Sequence, residues 1–237
     1  MKVMKYILVV VVLALHAGLF ASDIKFPVAL IPEDLKKDVN LVVRYDNMTY
    51  RIISRDKGRL SVYYAATIMN SKARDNAFRY IEYDKLSKVT NLSANIYDAS
   101  GEHIRRIKNN EILDVSKFDG FSLYSDNRMK FVDMSYGSYP YTIEIEYEMD
   151  YNFLFHIDGS SVVSEEKVSV EHFTYKLIYP PGLKPRFKTF NIGNEPEKGM
   201  VDGNETLLWR MDHVTPIKTE PFSPQGVKNS MNGPSAG

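Results

Sequence analysis

From residue 22 onward the chain alternates apolar and polar positions in runs too short and too regular for helices. The clearest run sets Tyr141, Ile143, Ile145, Tyr147, Met149, Tyr151 and Phe153 against Thr142, Glu144, Glu146, Glu148 and Asp150. A period of two predicts a β-strand with one buried and one wet face. Leu60, Val62, Tyr64, Ala66 and Ile68 repeat the pattern, as do Phe173, Tyr175, Leu177 and Tyr179. Turn residues punctuate these runs. Asp56-Lys57-Gly58 predicts a hairpin. Asp98–Gly101 separates a strand at about Val89–Tyr97 from one at His103–Ile107. Asp158–Ser161 predicts a second hairpin, from the acidic-faced strand into one spanning about Lys167–Tyr179, which Pro180-Pro181-Gly182 ends. A last strand pair is expected at Lys184–Ile192 and Thr206–Asp212. Helical signals are confined to Pro32–Lys37 and Asn110–Lys117. The expected fold is all-β, an antiparallel β-sandwich with one or two short helices.

The N-terminus follows a different rule. Lys2 and Lys5 precede an apolar run from Tyr6 to Leu15, and small residues follow at Ala17, Gly18 and Ala21. This is the secretory signal pattern, and the run is shorter than the roughly 20 residues a spanning helix needs. The expected organisation is a signal peptide over 1–21, one β-sandwich domain over 22–224, and a flexible tail or linker start over 225–237, where Gly, Ser, Asn and Pro replace the aromatics. No membrane span is expected once the signal is cleaved.

The chain has no cysteine, so a disulfide scaffold is excluded and stability must come from a hydrophobic core. Its 30 basic and 30 acidic residues balance. Removing Lys2 and Lys5 leaves 28 against 30, about −2, which argues against nucleic acid as a partner.

Candidate chemistry is sparse. His103, His156, His172 and His213 are far apart in sequence, and the Asp158–Ser161 hairpin would set His172 near Met149 rather than His156, so no metal site is expected. Glu144, Glu146 and Glu148 have a spacing compatible with paired carboxylate catalysis, but on an outward strand face they are expected to be solvated. Ser125 has no neighbouring base, Asp98–Gly101 lacks calcium-loop spacing, and Trp209 is expected in the core. No cofactor is expected. The richest stretch runs from Phe118 to Tyr141, where aromatics interleave with charges and loop residues. Tyr124, Asp126, Arg128, Tyr136 and Tyr139 are the candidate ligand-binding residues there, suited to a glycan or an extended peptide.

Five segments in order, Leu35–Arg44 (LKKDVNLVVR), Ile96–Gly101 (IYDASG), Ile112–Ser116 (ILDVS), Leu123–Asp126 (LYSD) and Tyr139–Tyr147 (YPYTIEIEY), resemble the domain of unknown function 3857 family. The resemblance spans about Phe26–Phe222. It implies a β-sandwich module of secreted, Bacteroidetes-type proteins, commonly preceding a transglutaminase-like domain, and hence export to the periplasm or outer envelope of a Gram-negative bacterium. A transglutaminase-like centre needs a cysteine nucleophile, which this chain lacks. The expectation is therefore a non-catalytic binding or positioning module, not itself an enzyme, with a transglutaminase-like domain or another envelope protein as partner. The alternative is a carboxylate-dependent glycan hydrolase or carbohydrate-binding protein using residues 118–141.

Overall fold

The computed structural model describes residues 24–117, 126–154, 157, 159–160, 162, 166–189, 195–217 and 235–236. Residues 1–21, where a signal peptide is expected, lie outside them. Among the described residues no helix is long and apolar enough to cross a membrane.

The fold is an all-β sandwich. Its strands are β1 (Leu41–Ile52), β2 (Gly58–Ile68), β3 (Phe78–Tyr83), β4 (Ser87–Tyr97), β5 (His103–Arg106), β6 (Leu113–Ser116), β7 (Arg128–Asp133), β8 (Tyr141–Tyr151), β9 (Val168–Tyr179), β10 (Phe187–Lys188), β11 (Glu197–Val201), β12 (Asn204–Val214) and β13 (Ser235–Ala236). Eight form one sheet in the order β11-β12-β9-β1-β2-β8-β4-β5, three a smaller sheet in the order β3-β7-β6, and β10 pairs with β13. The one α-helix among the described residues, α1 (Glu33–Lys36), follows Pro32 at its N-cap. Proline suits a helix start because it has no N–H to leave unpaired.

The alternating runs form strands with one face in the core. Leu60, Val62, Tyr64, Ala66 and Ile68 of β2 stand opposite Met149, Tyr147, Ile145, Ile143 and Tyr141 of β8, all on the inner face. The Asp56–Gly58 turn joins β1 to β2, with Ile52 opposite Gly58. The small sheet closes over this face. Ile81 and Val132 join the same apolar cluster as Ile96, Ile143 and Ile145, and the Arg79 guanidinium lies 4.0 Å over the Tyr64 ring. Side chains such as Phe173, Tyr175 and Leu177 are fully buried, each contributing about 1.5–3 kcal/mol.

Three expectations are corrected. β8 and β9 do not form a hairpin: β9 lies between β12 and β1, and its pairing with β1 is parallel. Consequently His172 stands opposite Tyr45 and Asp212, not Met149. The partner of β12 is β11, through a tight Asp202-Gly203 turn with φ of 49° and 75°, and not Lys184–Ile192, where only the two-residue β10 forms. Both turn residues adopt positive φ, the signature of a two-residue hairpin loop. At Asn109–Glu111 a short 3-10 turn forms, but Leu113–Ser116 is strand, not helix.

The N-terminal segment from Ile24 to Lys37 straps the outer face of the large sheet. The backbone N–H groups of Lys25 and Val28 donate to Gly101 and Ala99 at 2.9 Å, and the Ser169 hydroxyl donates to the Leu35 carbonyl at 2.6 Å. Ile31, Leu35, Val39 and Val42 form a second, smaller apolar cluster beneath it.

Candidate functional site

Among the described residues singled out between Phe118 and Tyr141, Asp126 and Arg128 lie at one end of β7 and Tyr136 and Tyr139 beyond the other. The strand separates Arg128 from the loop after Asp133 by roughly 17 Å at about 3.3 Å per residue. Tyr124 lies outside the described residues, as do Phe118, Phe121, Ser125 and His156.

At one end of β7, Asp126 and Arg128 border a cleft of about 580 Å³ with Tyr83, Lys85, Ser116 and Asn152. Lys85 bonds Asp126 at 2.9 Å. The Arg128 guanidinium turns inward to Asp114 at 2.8 Å, and Lys130 and the Tyr83 hydroxyl donate to the same carboxylate at 2.7 Å. Desolvation alone would raise the Asp114 pKa, but these donors outweigh it and hold it at about 2. An adjoining hollow of about 290 Å³ is lined by Leu86, Met149, Tyr151 and Phe153, the last 58% exposed. The hollow shares Tyr83, Asp84 and Ser87 with the cleft and sets its apolar residues among Glu82, Asp84, Ser87 and Asn127.

At the far end, Tyr136 and Tyr139 are 37% and 38% exposed and pack their rings on buried Tyr141, at centroid distances of 5.7 and 5.5 Å. This pair forms an aromatic platform separate from the cleft.

Two histidines each pair with a single acid. The His172 ring stacks on Tyr45 at 5.0 Å and its Nδ1 lies 2.8 Å from Asp212, while His213 Nε2 lies 2.5 Å from Asp34. Among the described residues no three histidines or carboxylates gather closely enough to hold a metal ion. Trp209 is core, packed between Tyr175 and Phe187.

The most elaborate polar centre is one that strand periodicity does not reveal. Glu144, expected on the wet face, is only 4% exposed. Its Oε1 accepts from Tyr63 at 2.9 Å and from Lys25 of the strap at 3.3 Å, and its Oε2 from Tyr97 at 2.7 Å and Asn95 at 3.0 Å. Burial would raise the Glu144 pKa, yet the Tyr97 and Tyr63 hydroxyls, the Lys25 charge and the Asn95 amide together lower it. The Tyr63 hydroxyl is pushed up, by burial first and by Glu144 second. Beside this centre a bulge in β1 places Arg44 for an ion pair with Glu171 and a bond to the Phe26 carbonyl at 3.0 Å. Both charged groups clamp the strap. Only Glu146 and Glu148 of the acidic row remain outside this clamp.

Comparison with known proteins then places the fold. The family model for a domain of unknown function with a solved structure, DUF3857, matches residues 54–218. The chain belongs to the DUF3857 family. A putative protease from Parabacteroides distasonis superposes with a TM-score of 0.72 at 12% identity, over 83% of this chain and 40% of the other. This chain therefore spans less than half of the length of that longer protein. A putative nutrient binding protein from Legionella pneumophila matches at a TM-score of 0.34 and 8% identity, over 84% of this chain and 68% of the other. The yeast LTA4 hydrolase bound to bestatin gives 0.34 and 9%, over 95% and 32%. No curated protein matches the sequence.

Proposed function

We propose that this DUF3857 domain is a non-catalytic module of the bacterial envelope that holds or positions an extended substrate for a catalytic domain of the transglutaminase-like class. The observation that carries this reading is the occurrence of the same fold as a 40% portion of a longer chain named a putative protease. The signal pattern at the N-terminus supports export, to the periplasm or outer envelope. The absence of cysteine from the sequence supports a separate source for any thiolate chemistry.

The cleft beside Asp126 and Arg128 suits the task. The cleft carries the paired charges of Lys85 and Asp126, and the hollow adjoining it the exposed Phe153 and Leu86. An extended peptide presents the same pairing of backbone polarity and apolar side chains. The hydrolase alternative draws less support. Glu144 is saturated with donors and its pKa is lowered, the reverse of what a general acid requires.

The test is a thermal-shift screen of the protein from Ser22 against envelope peptides and glycans, run beside a hydrolysis assay. A ligand that binds only the folded state raises the melting temperature by mass action. The reading predicts a shift with an extended peptide that falls in Asp126→Ala and Phe153→Ala, without turnover. Turnover lost in Glu146→Gln would overturn it.

A further inference from the structure

The outer face of the large sheet carries a depression beside the clamp, sharing with it only the ring of Tyr63. Its floor is made of short side chains, Thr49 on β1 opposite Ser61 on β2. Longer ones surround them: Asn47 opposite Tyr63, then Glu146 and Glu148 of β8 opposite Tyr63 and Ser61. A bulge in β4 between Thr90 and Ser93 turns out Asn91, whose φ is 52°, so that its amide reaches Glu148 at 2.6 Å. Short residues between long ones leave a groove of about 380 Å³ lined by these groups. That volume lies within the range of small-molecule sites, roughly 300–1,000 Å³.

The chemistry of the lining selects the ligand. Glu148 is already balanced by Asn91 and by Arg59 at 3.7 Å. Glu146 is exposed, and among the described residues its carboxylate takes no hydrogen bond or ion pair. Asn47 accepts from Thr174 at 2.8 Å through its oxygen, leaving its amide N–H groups to donate. The Thr49 and Ser61 hydroxyls can donate or accept. The groove therefore offers a carboxylate, an amide and two hydroxyls beside the Tyr63 ring, with no cation among its lining residues and Lys176 of β9 next to it, opposite Thr49. An anionic ligand would meet Glu146 and Glu148 at close range. A ligand rich in hydroxyl groups matches it: a carboxylate accepts from neighbouring hydroxyls, amides and hydroxyls complete the pairing, and an aromatic ring covers a C–H face.

We infer that this groove is a binding site for a neutral oligosaccharide. The inference rests on the module reading and names a ligand class for it, on a different face from the Asp126 cleft.

The experiment is isothermal titration of the full chain from Ser22 with cellotetraose, the N-acetylglucosamine tetramer and, as an acidic control, tetragalacturonate. Binding of a neutral tetrasaccharide is expected. Affinity should fall about tenfold in Glu146→Gln, the loss of one charge-assisted hydrogen bond, and vanish in Ser61→Arg, which fills the groove. Because Glu146 is exposed, Glu146→Gln tests the site even where Ser61→Arg lowers stability. No binding by either neutral sugar, preference for the acidic one, binding indifferent to Glu146→Gln, or cleavage of the sugar would each overturn the proposal. Asp126→Ala and Phe153→Ala separate the two readings. If they abolish peptide binding while no sugar binds, the module reading stands and the groove falls. If sugar binding survives them and fails in Glu146→Gln, the groove stands by itself.

Discussion

Glu144 and Tyr97 meet at 2.7 Å from adjacent strands, on a face whose sequence pattern reads as solvent-exposed. What buries them is the strap, which brings Lys25 to the same carboxylate. Removing the carboxylate leaves the Tyr63 and Tyr97 hydroxyls and a lysine without their common acceptor. Glu144→Ala is therefore expected to cost about 3–4 kcal/mol in urea denaturation near neutral pH. Lys25→Ala should cost about 1 kcal/mol, because the lysine side chain is 41% exposed and its charge is partly screened. The folded Glu144 pKa is depressed, so its contribution is present above the unfolded carboxylate range and fades as pH falls through the folded value. Equal losses in the two variants would show that the strap, and not the hydroxyls, supports the carboxylate.

Asp46 shows the opposite sign. Desolvation between the layers lifts its carboxyl from 3.8 to about 6, with Arg79 pulling the other way. The folded chain then holds this proton more tightly than the unfolded one, so Asp46 weakens the fold as pH rises from about 4 to about 6, and by the full amount above. Asp46→Asn should raise stability at pH 7.5 by about 2 kcal/mol and bring no gain at pH 3.5. Chemical denaturation at the two pH values checks both halves of the statement.

Gly101 holds the strap by having no side chain. Its φ is 89°, and a Cβ there would approach the Lys25 carbonyl oxygen to 2.5 Å. Gly101→Ala is expected to cost about 2 kcal/mol, with faster tryptic cleavage after Lys25 and Lys36. Gly182 has the same φ but open space around it, so Gly182→Ala should cost only about 1 kcal/mol and leave strap cleavage unchanged. The comparison separates backbone conformation from close approach.

Asp114 ties the edge strand β6 to the Tyr83, Arg128 and Lys130 donors of its neighbours. Asp114→Asn should lower stability by less than about 1 kcal/mol at pH 7, since the carboxylate is one-third exposed. The difference should disappear near pH 2, where the native carboxylate takes up its proton. Melting temperature against pH for both proteins provides the measurement.

Much of this fold is legible in the chain. β2, β8 and β9 follow from period two alone, because alternate residues face the core whatever packs on it. The pattern cannot say what lies above the other face, which is why Glu144 reads as solvated until the strap covers it. Turns were readable where the flanking strands were, as at Asp56–Gly58. The Asp202-Gly203 turn carries an equally strong signal, but charged and exposed β11 shows no apolar alternation to draw attention to it. The apolar runs on both sides of Asp158–Ser161 suggest a hairpin, yet adjacency in sequence does not fix adjacency in a sheet. In the candidate binding stretch Gly120, Gly137 and Pro140 signal loops, and the six-residue β7 between them puts Arg128 and Lys130 on the same side as core Val132, so its alternation is too mixed to mark a strand.

The parallel contact between β1 and β9 ties Arg44 to Glu171 across 127 residues of chain. No short loop can preassemble that contact, so loop closure must come before the strands gain from pairing. Until β9 has been made, β1 can pair with β2 on one side only and its other backbone edge stays open. Growth of the sheet is then gated by the last third of the polypeptide. A truncated chain lacking β9 and β12 should not be a smaller version of this domain but an aggregation-prone one.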